Sequence, residues 1–156
     1  MTAEERDIAG VVAPPPLIYA IPGIAGVLLG RAFPIHVVPE PFALVVGGAL
    51  AIAAIALDIW TLPKFRRAGT SMMPYTPTTA IIDTGPFAWT RNPLYLAMTL
   101  LYVGITLIVN TIWPLLLLPI VLLVVQRGVI EREERYLERK FGDQYLSYKS
   151  RVRRWL

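Results

Sequence analysis

A polar, turn-rich segment, DTGPFAWTRNPLY, occupies residues 83–95 and leads directly into a hydrophobic stretch. Gly85 and Pro86 favour a turn. Asn92 is a suitable helix N-cap, and Pro93 suits the first turn of a helix. The unpaired N–H groups at such a helix terminus attract a carboxylate. The segment therefore indicates a site for a polar ligand, although a helix cap beside an interfacial arginine would produce the same short pattern.

The charged C-terminal part of the chain offers a second set of groups. Its acidic and basic residues alternate at helical spacings that favour ion pairs. That pattern is typical of a solvated helix whose arginines extend to the membrane interface. Arg127 and Glu131 lie four residues apart just beyond the last apolar run, so one helical face would carry both. They could therefore also line the entrance of a pocket.

Four apolar segments must position these groups. The first two approach the ~20 residues that span a hydrocarbon core, and a longer tract interrupted at residues 110–114 predicts two further spans joined as a tight helical hairpin. We expect an all-α integral membrane protein with about four transmembrane helices in a single domain. The predicted spans are residues 17–33, 42–62, 94–110 and 112–127, with a loop at 63–93 and a helical tail at 128–156.

The basic residues predict both a partner and an orientation. The net charge is +4, and the basic residues lie beside the apolar runs, which favours anionic lipid headgroups over nucleic acid as the partner. With four spans, Arg6, the loop 63–93 and the tail fall on one side, and Arg31 lies on the other. The positive-inside rule assigns the basic side to the cytoplasm. We expect a multi-pass protein with both termini, the loop and the C-terminal helix on the cytoplasmic side.

Two residue types restrict the chemistry. The chain has no cysteine and a single histidine, His36. Disulfides, a thiolate nucleophile and a cysteine-ligated metal are thereby excluded. One histidine in a loop does not favour a metal site or a histidine base, because both need a partner. We therefore predict no metal ligands.

Two separated motifs occur in this chain. The first, G-P-[YF]-x3-R-[HN]-P-x-Y, runs from Gly85 to Tyr95, and the second, R-x3-E-x-E-E-x2-L-x3-F-G-x2-Y, runs from Arg127 to Tyr145. Over residues 42–156 the chain resembles the isoprenylcysteine carboxyl methyltransferase family and its phospholipid methyltransferase relatives. The resemblance implies a membrane-embedded enzyme that uses S-adenosylmethionine without a soluble nucleotide-binding domain and releases S-adenosylhomocysteine.

The resemblance also implies individual site residues. The cofactor pocket would be closed by the segment before the hairpin and by the C-terminal helix. Arg127 matches the basic residue associated with the acceptor. The positions that match cofactor-binding residues are Ala80, Ile81 and Ile82 in a strand-like stretch, Phe87, Asn92, Pro93, Leu94, Tyr95 and Glu131. Asn92 stands where the eukaryotic carboxyl methyltransferases have histidine, and Phe87 lacks a tyrosine hydroxyl.

Methyl transfer needs little direct catalysis by side chains, because a sulfonium is already an excellent leaving group. Alignment and desolvation carry most of the catalysis. Arg127 could orient a carboxylate acceptor as its counter-ion. An amine acceptor would instead need a proton acceptor such as Glu134. The acceptor is expected to be a lipid or a lipophilic small molecule, with an isoprenoid carboxylate, a lipid amine, a thiol and a phenol all open.

Two other classes of protein fit part of the pattern. Membrane sterol reductases have a related C-terminal pattern and bind NADPH, but this sequence has no additional polar segment suited to a second nucleotide phosphate. A small non-enzymatic membrane adaptor with a basic tail would leave the polar loop unexplained beyond helix capping. Binding of S-adenosylhomocysteine or of NADPH distinguishes the three classes.

Overall fold

The computed structural model describes residues 7–156, so that Arg6 of the predicted cytoplasmic side lies outside the described residues. Within that range the chain consists of helices and loops and has no β-strand. This confirms the predicted all-α membrane fold. The helices are α1 (Pro15–Ala32), α2 (Glu40–Ala68), α3 (Pro93–Val109), α4 (Trp113–Val125), α5 (Glu131–Phe141) and α6 (Asp143–Arg151).

Three helical runs are long and apolar enough to cross a membrane. They are α1, α2 and the run Trp113–Phe141, whose apolar part is α4. Helix α3 is also apolar but has 17 residues, which is about 25 Å of helix against a hydrocarbon core of about 30 Å. A fourth crossing therefore stays a prediction. Large apolar side chains such as Ile21, Val45 and Ile52 are exposed along α1 and α2, as expected of a surface that contacts lipid.

Helix α2 is longer than the sequence predicts. It continues through Pro63 to Ala68, since an internal proline removes one N–H donor without necessarily ending a helix. The end comes at Gly69, which has a left-handed φ of 63° and donates its N–H to the carbonyl of Arg66. The loop before α3 therefore begins at residue 69 rather than at 63.

Helices α2 and α3 pack along each other with their backbones in close contact. A Cβ added to Gly47 would lie 2.7 Å from the carbonyl oxygen of Gly104, so the small-residue packing expected of membrane helices occurs here. The end of α2 lies beside the segment that precedes α3. The rings of Phe65 and Phe87 meet there edge to face, with their centroids 5.5 Å apart. Helix α1 packs against α4.

The predicted hairpin turn lies at Asn110, between α3 and α4. Asn110 has a left-handed φ of 53°. Its side chain accepts a hydrogen bond from the N–H of Val37 at 3.0 Å and donates one to the carbonyl of Val38 at 2.9 Å. The turn is thereby tied to the loop that connects α1 to α2.

The charged tail folds back onto the segment before α3. It leaves α4 through a π-helical turn, Gln126–Ile130, and continues as α5 and α6. After α6 the carbonyl of Arg153 accepts a hydrogen bond from the N–H of Arg91 at 2.9 Å. Loop and tail, which are far apart in sequence, are therefore in direct contact.

Candidate functional site

A cavity lies where the loop after α2, the start of α3 and the tail helices meet. Its walls come from four parts of the chain. The residues that line it include Thr70–Pro74, Thr78 and Ala80–Ile82 of the loop, Phe87 and Arg91–Tyr95 around the start of α3, Ile130, Glu133, Glu134, Tyr136 and Leu137 of the tail, and Tyr145 and Tyr148 of α6. The motif segment and the tail thus face each other across one space.

Most of the residues assigned by resemblance to the cofactor line this cavity. The eight are Ala80, Ile81, Ile82, Phe87, Asn92, Pro93, Leu94 and Tyr95. The stretch Ala80–Ile82 has an irregular backbone and belongs to neither a helix nor a strand. The strand-like stretch implied by the resemblance is therefore not a β-strand. Within residues 7–156 its N–H and C=O groups make no backbone hydrogen bond of their own. They are available to a ligand.

Asn92 occupies the N-cap position of α3, but its side chain does not cap the helix. Its Nδ2 donates instead to the carbonyl oxygen of Arg154 at 2.8 Å. The N–H of Asn92 donates to the hydroxyl of Thr90 at 3.2 Å. The first turn of α3 therefore keeps N–H groups without a side-chain partner at the cavity wall, where they can meet an anion.

Of the acidic residues of α5, Glu133 and Glu134 line this cavity. The hydroxyl of Tyr95 donates to Oε1 of Glu133 at 2.8 Å. Burial raises the pKa of the Glu133 carboxyl to about 7, the hydrogen bond from Tyr95 opposes this, and the charge of Glu134 adds to it. Glu131 is not among the lining residues and pairs with Arg154 at 3.7 Å.

Glu134 is buried between two arginines. Arg154 donates to its two oxygens at 3.0 and 2.8 Å, and Nη2 of Arg91 lies 3.2 Å from Oε1. Two guanidinium groups beside one carboxylate hold it in a fixed position through charge-assisted hydrogen bonds. Its predicted role as a proton acceptor remains a prediction, and the arrangement favours a structural ion pair.

Arg91 is the arginine at the cavity, and Arg127 is not. Only 9% of the Arg91 side chain is exposed, and its Nε and Nη1 atoms are buried without a hydrogen-bond partner among the described residues. Buried guanidinium donors left without partners are costly. The guanidinium of Arg91 is also close enough to Tyr145 to oppose the rise in the pKa of that hydroxyl. Arg127 lies in the π-helical turn, is exposed and does not line the cavity.

The π-helical turn, which includes Arg127 and ends before Glu131, changes the helical register between these two residues. The expected face assumed a regular α-helix from Arg127 to Glu131. One extra residue in a turn rotates everything after it by about 100°. The part of the tail at the cavity carries Ile130, Glu133, Glu134, Tyr136 and Leu137. Glu133 lies within the second motif, and Arg91 lies within the first. The motifs therefore contain both residues, although neither was predicted as a site residue.

Aromatic side chains close the cavity on the α6 side. Tyr148 donates its hydroxyl to the carbonyl oxygen of Phe87 at 2.8 Å. Burial raises the pKa of Tyr145 to about 12, with a contribution from the charge of Glu134. Flat apolar faces beside a few polar groups suit the stacking of a heteroaromatic ring.

Most of the residues that line the cavity lie within a stretch that is similar to a known protein family. A family model described as phospholipid methyltransferase matches residues 42–144, from α2 to the start of α6. The chain therefore belongs to the phospholipid methyltransferase family, a family of membrane methyltransferases. An uncharacterized protein of Haemophilus influenzae is 44% identical over 63 residues, which cover 40% of this chain and all of that protein. No solved structure matches.

Proposed function

We propose that this protein transfers a methyl group from S-adenosylmethionine to a lipophilic acceptor at the membrane interface. The observation that carries the proposal is the cavity in which Glu133 and the partnerless donors of Arg91 face one space. A carboxylate suits the ammonium group of the cofactor, and guanidinium donors without partners suit an anionic group of the acceptor. Membership of a methyltransferase family supports the same reaction type.

The residues present fit S-adenosylmethionine. Glu133 would hold the ammonium group, and the open first turn of α3 would hold the carboxylate. Phe87, Tyr145 and the irregular stretch Ala80–Ile82 would enclose the adenosine. The cofactor supplies an electrophilic methyl group on a sulfonium. The chain would contribute alignment of the acceptor and exclusion of water, which are the main needs of this reaction.

Arg91 favours an acceptor that carries an anionic group. A carboxylate or phosphate oxygen would provide the partners that Nε and Nη1 lack. An amine acceptor would need a base, which Arg91 does not supply and which Glu134, tied to two arginines by ion pairs, is poorly placed to supply.

The cavity is proposed to open to the cytoplasm. Basic residues are abundant at the end of α2 and in the tail, which both lie beside it, and the positive-inside rule places such segments there. The same orientation supports four crossings, with α3 as the short one. The apolar outer surfaces of α1 and α2 support entry of the acceptor from the bilayer.

Calorimetry on the purified protein in detergent tests the cofactor. We expect S-adenosylhomocysteine to bind and NADPH not to bind. Binding of NADPH alone would indicate a reductase on this scaffold, and binding of neither would indicate a non-enzymatic membrane adaptor.

Methyl transfer itself is tested with cofactor labelled in the methyl group and a total lipid extract. We expect a labelled lipid product with the wild-type protein and none with Glu133→Gln. Mass analysis of that product identifies the acceptor. A protein that binds S-adenosylhomocysteine but labels no lipid would contradict the proposed acceptor class.

A further inference from the structure

An N-terminal strap, residues 7–14, crosses the tail helices beside the cavity. The N–H of Val12 donates to the carbonyl of Gly128 at 3.1 Å. A guanidinium nitrogen of Arg132 donates to the carbonyl of Gly10 at 2.8 Å. Within the strap, Ala9 lines the cavity. The strap precedes the family match, which begins at residue 42.

The strap reaches the cavity wall through the hydroxyl of Tyr136. This hydroxyl donates to Oδ1 of Asp7 at 3.0 Å. It accepts from Nζ of Lys140 at 3.1 Å and from the N–H of Thr78 at 3.1 Å. A phenol has one donor and two acceptor positions, so the hydroxyl of Tyr136 is fully used.

The bond to Thr78 is what ties the loop to α5. Among the described residues it is the hydrogen bond that joins loop 69–84 to that helix. The next residue, Thr79, bonds back to Gly69 and Thr70 at the end of α2 instead. Thr78 lies two residues before the stretch Ala80–Ile82. The position of this wall therefore depends on the Tyr136 hydroxyl.

Asp7 determines how that hydroxyl points. With its proton directed at the Asp7 carboxylate, the lone pairs of the Tyr136 oxygen face the N–H of Thr78 and Lys140. Lys140 also contacts both Asp7 oxygens, at 2.6 and 2.8 Å. Without the carboxylate, the hydroxyl proton is free to turn and Lys140 loses its counter-ion. The bond to the loop then competes with water.

We propose that Asp7 is a positioning residue for the cofactor, acting through Tyr136 on the backbone of Thr78. The inference rests on the proposed function, since the ligand whose wall it positions is S-adenosylmethionine. The hydrogen bond from Lys140 holds the pKa of Asp7 below its usual range, so the carboxylate is charged at neutral pH. Asp7 and Lys140 are partly exposed, so high salt weakens their contribution.

The first test needs no cofactor. Hydrogen exchange of the Thr78 amide in the purified protein should be about five-fold faster or more in Asp7→Ala and in Tyr136→Phe. Lys149→Gln is the matched control, because it removes another ion pair of α5, Lys149 with Glu138, that does not touch the strap. Unchanged Thr78 exchange in Asp7→Ala, or equal acceleration in the control, would overturn the inference.

The second test uses S-adenosylhomocysteine and turnover. We expect Asp7→Ala to weaken binding and raise KM for the cofactor by about three- to ten-fold at unchanged kcat, with a smaller effect at high salt. The double variant with Tyr136→Phe should lose little more than the worse single variant. Additive losses of affinity would contradict the inference that Asp7 acts through Tyr136. Wild-type protein that fails to bind S-adenosylhomocysteine would overturn the proposed function along with the inference.

Discussion

Tyr95 donates its hydroxyl to Oε1 of Glu133 at 2.8 Å, and this bond joins the first turn of α3 to the first turn of α5. The two residues belong to the two separated motifs, 38 positions apart in the sequence. The bond thus joins the two motifs at the wall of the cavity. It also orients the acidic group that we assign to the cofactor ammonium.

Glu133→Gln should weaken binding of S-adenosylhomocysteine by about ten- to hundred-fold, because an amide cannot pair with an ammonium as a carboxylate does. Glu131→Gln is the matched control, since Glu131 lies outside the cavity and pairs with Arg154. Calorimetry on both variants checks this, with circular dichroism to confirm folding. A larger loss in Glu131→Gln would instead favour the assignment made from the motif alone.

Binding of S-adenosylhomocysteine should weaken as the pH falls through about 7. Burial raises the pKa of Glu133 to about 7, so below that pH the carboxyl is protonated and cannot pair with the ligand ammonium. Above it, the charged form is available and affinity is retained. The profile is measured by titrations across this range. Glu133→Gln should flatten it, and an unchanged profile in that variant would assign the titration to another group.

Arg91→Lys should lower kcat/KM for the acceptor by about ten-fold or more, because an ammonium cannot reproduce the planar guanidinium donors. Lysine keeps a cation beside Glu134, which limits the effect on folding. Arg127→Met is the comparison, since Arg127 is exposed and away from the cavity. Methyl transfer with labelled cofactor and lipid extract measures both. Lost turnover in Arg127→Met alone would support the acceptor role first assigned to Arg127.

Gly47→Val should destabilise the protein by about 1–3 kcal/mol, because the added side chain would collide with the backbone of α3. Gly48→Val is the control, as a Cβ at Gly48 meets no atom within 4 Å. Thermal unfolding in detergent compares the two. Equal stability of both variants would show that α2 and α3 do not pack as closely as described.

Much of the fold could be predicted from the sequence. Apolar runs of bilayer length are a local property, since every backbone group in lipid must be satisfied within its own helix. The helix boundaries were less predictable at α2, where Pro63 suggested an end. The helix continues through Pro63 and ends at Gly69, six residues later. Gly69 adopts the left-handed conformation that commonly ends a helix.

The sequence predicted which segments form the site better than it predicted how their side chains are arranged. Both motifs contain the groups at the cavity, and the eight positions from Ala80 to Tyr95 that resemblance selected do line it. Asn92 was expected as a side-chain cap, but its amide bonds to the carbonyl of Arg154. That contact joins residues 62 positions apart, and no local pattern reports it.

The sequence by itself determined the apolar helices and the two motifs that point to the methyltransferase family, because hydropathy and motif spacing are properties of neighbouring residues. Only the tertiary structure decided which charged groups face the cavity. A π-helical turn at Gln126–Ile130 rotates α5, so Glu133 rather than Glu131 meets Tyr95. Packing of the tail against the loop then buries Arg91 beside Glu134 while Arg127 stays outside. Helix rotation and burial depend on contacts between distant segments, which one-dimensional spacing does not contain.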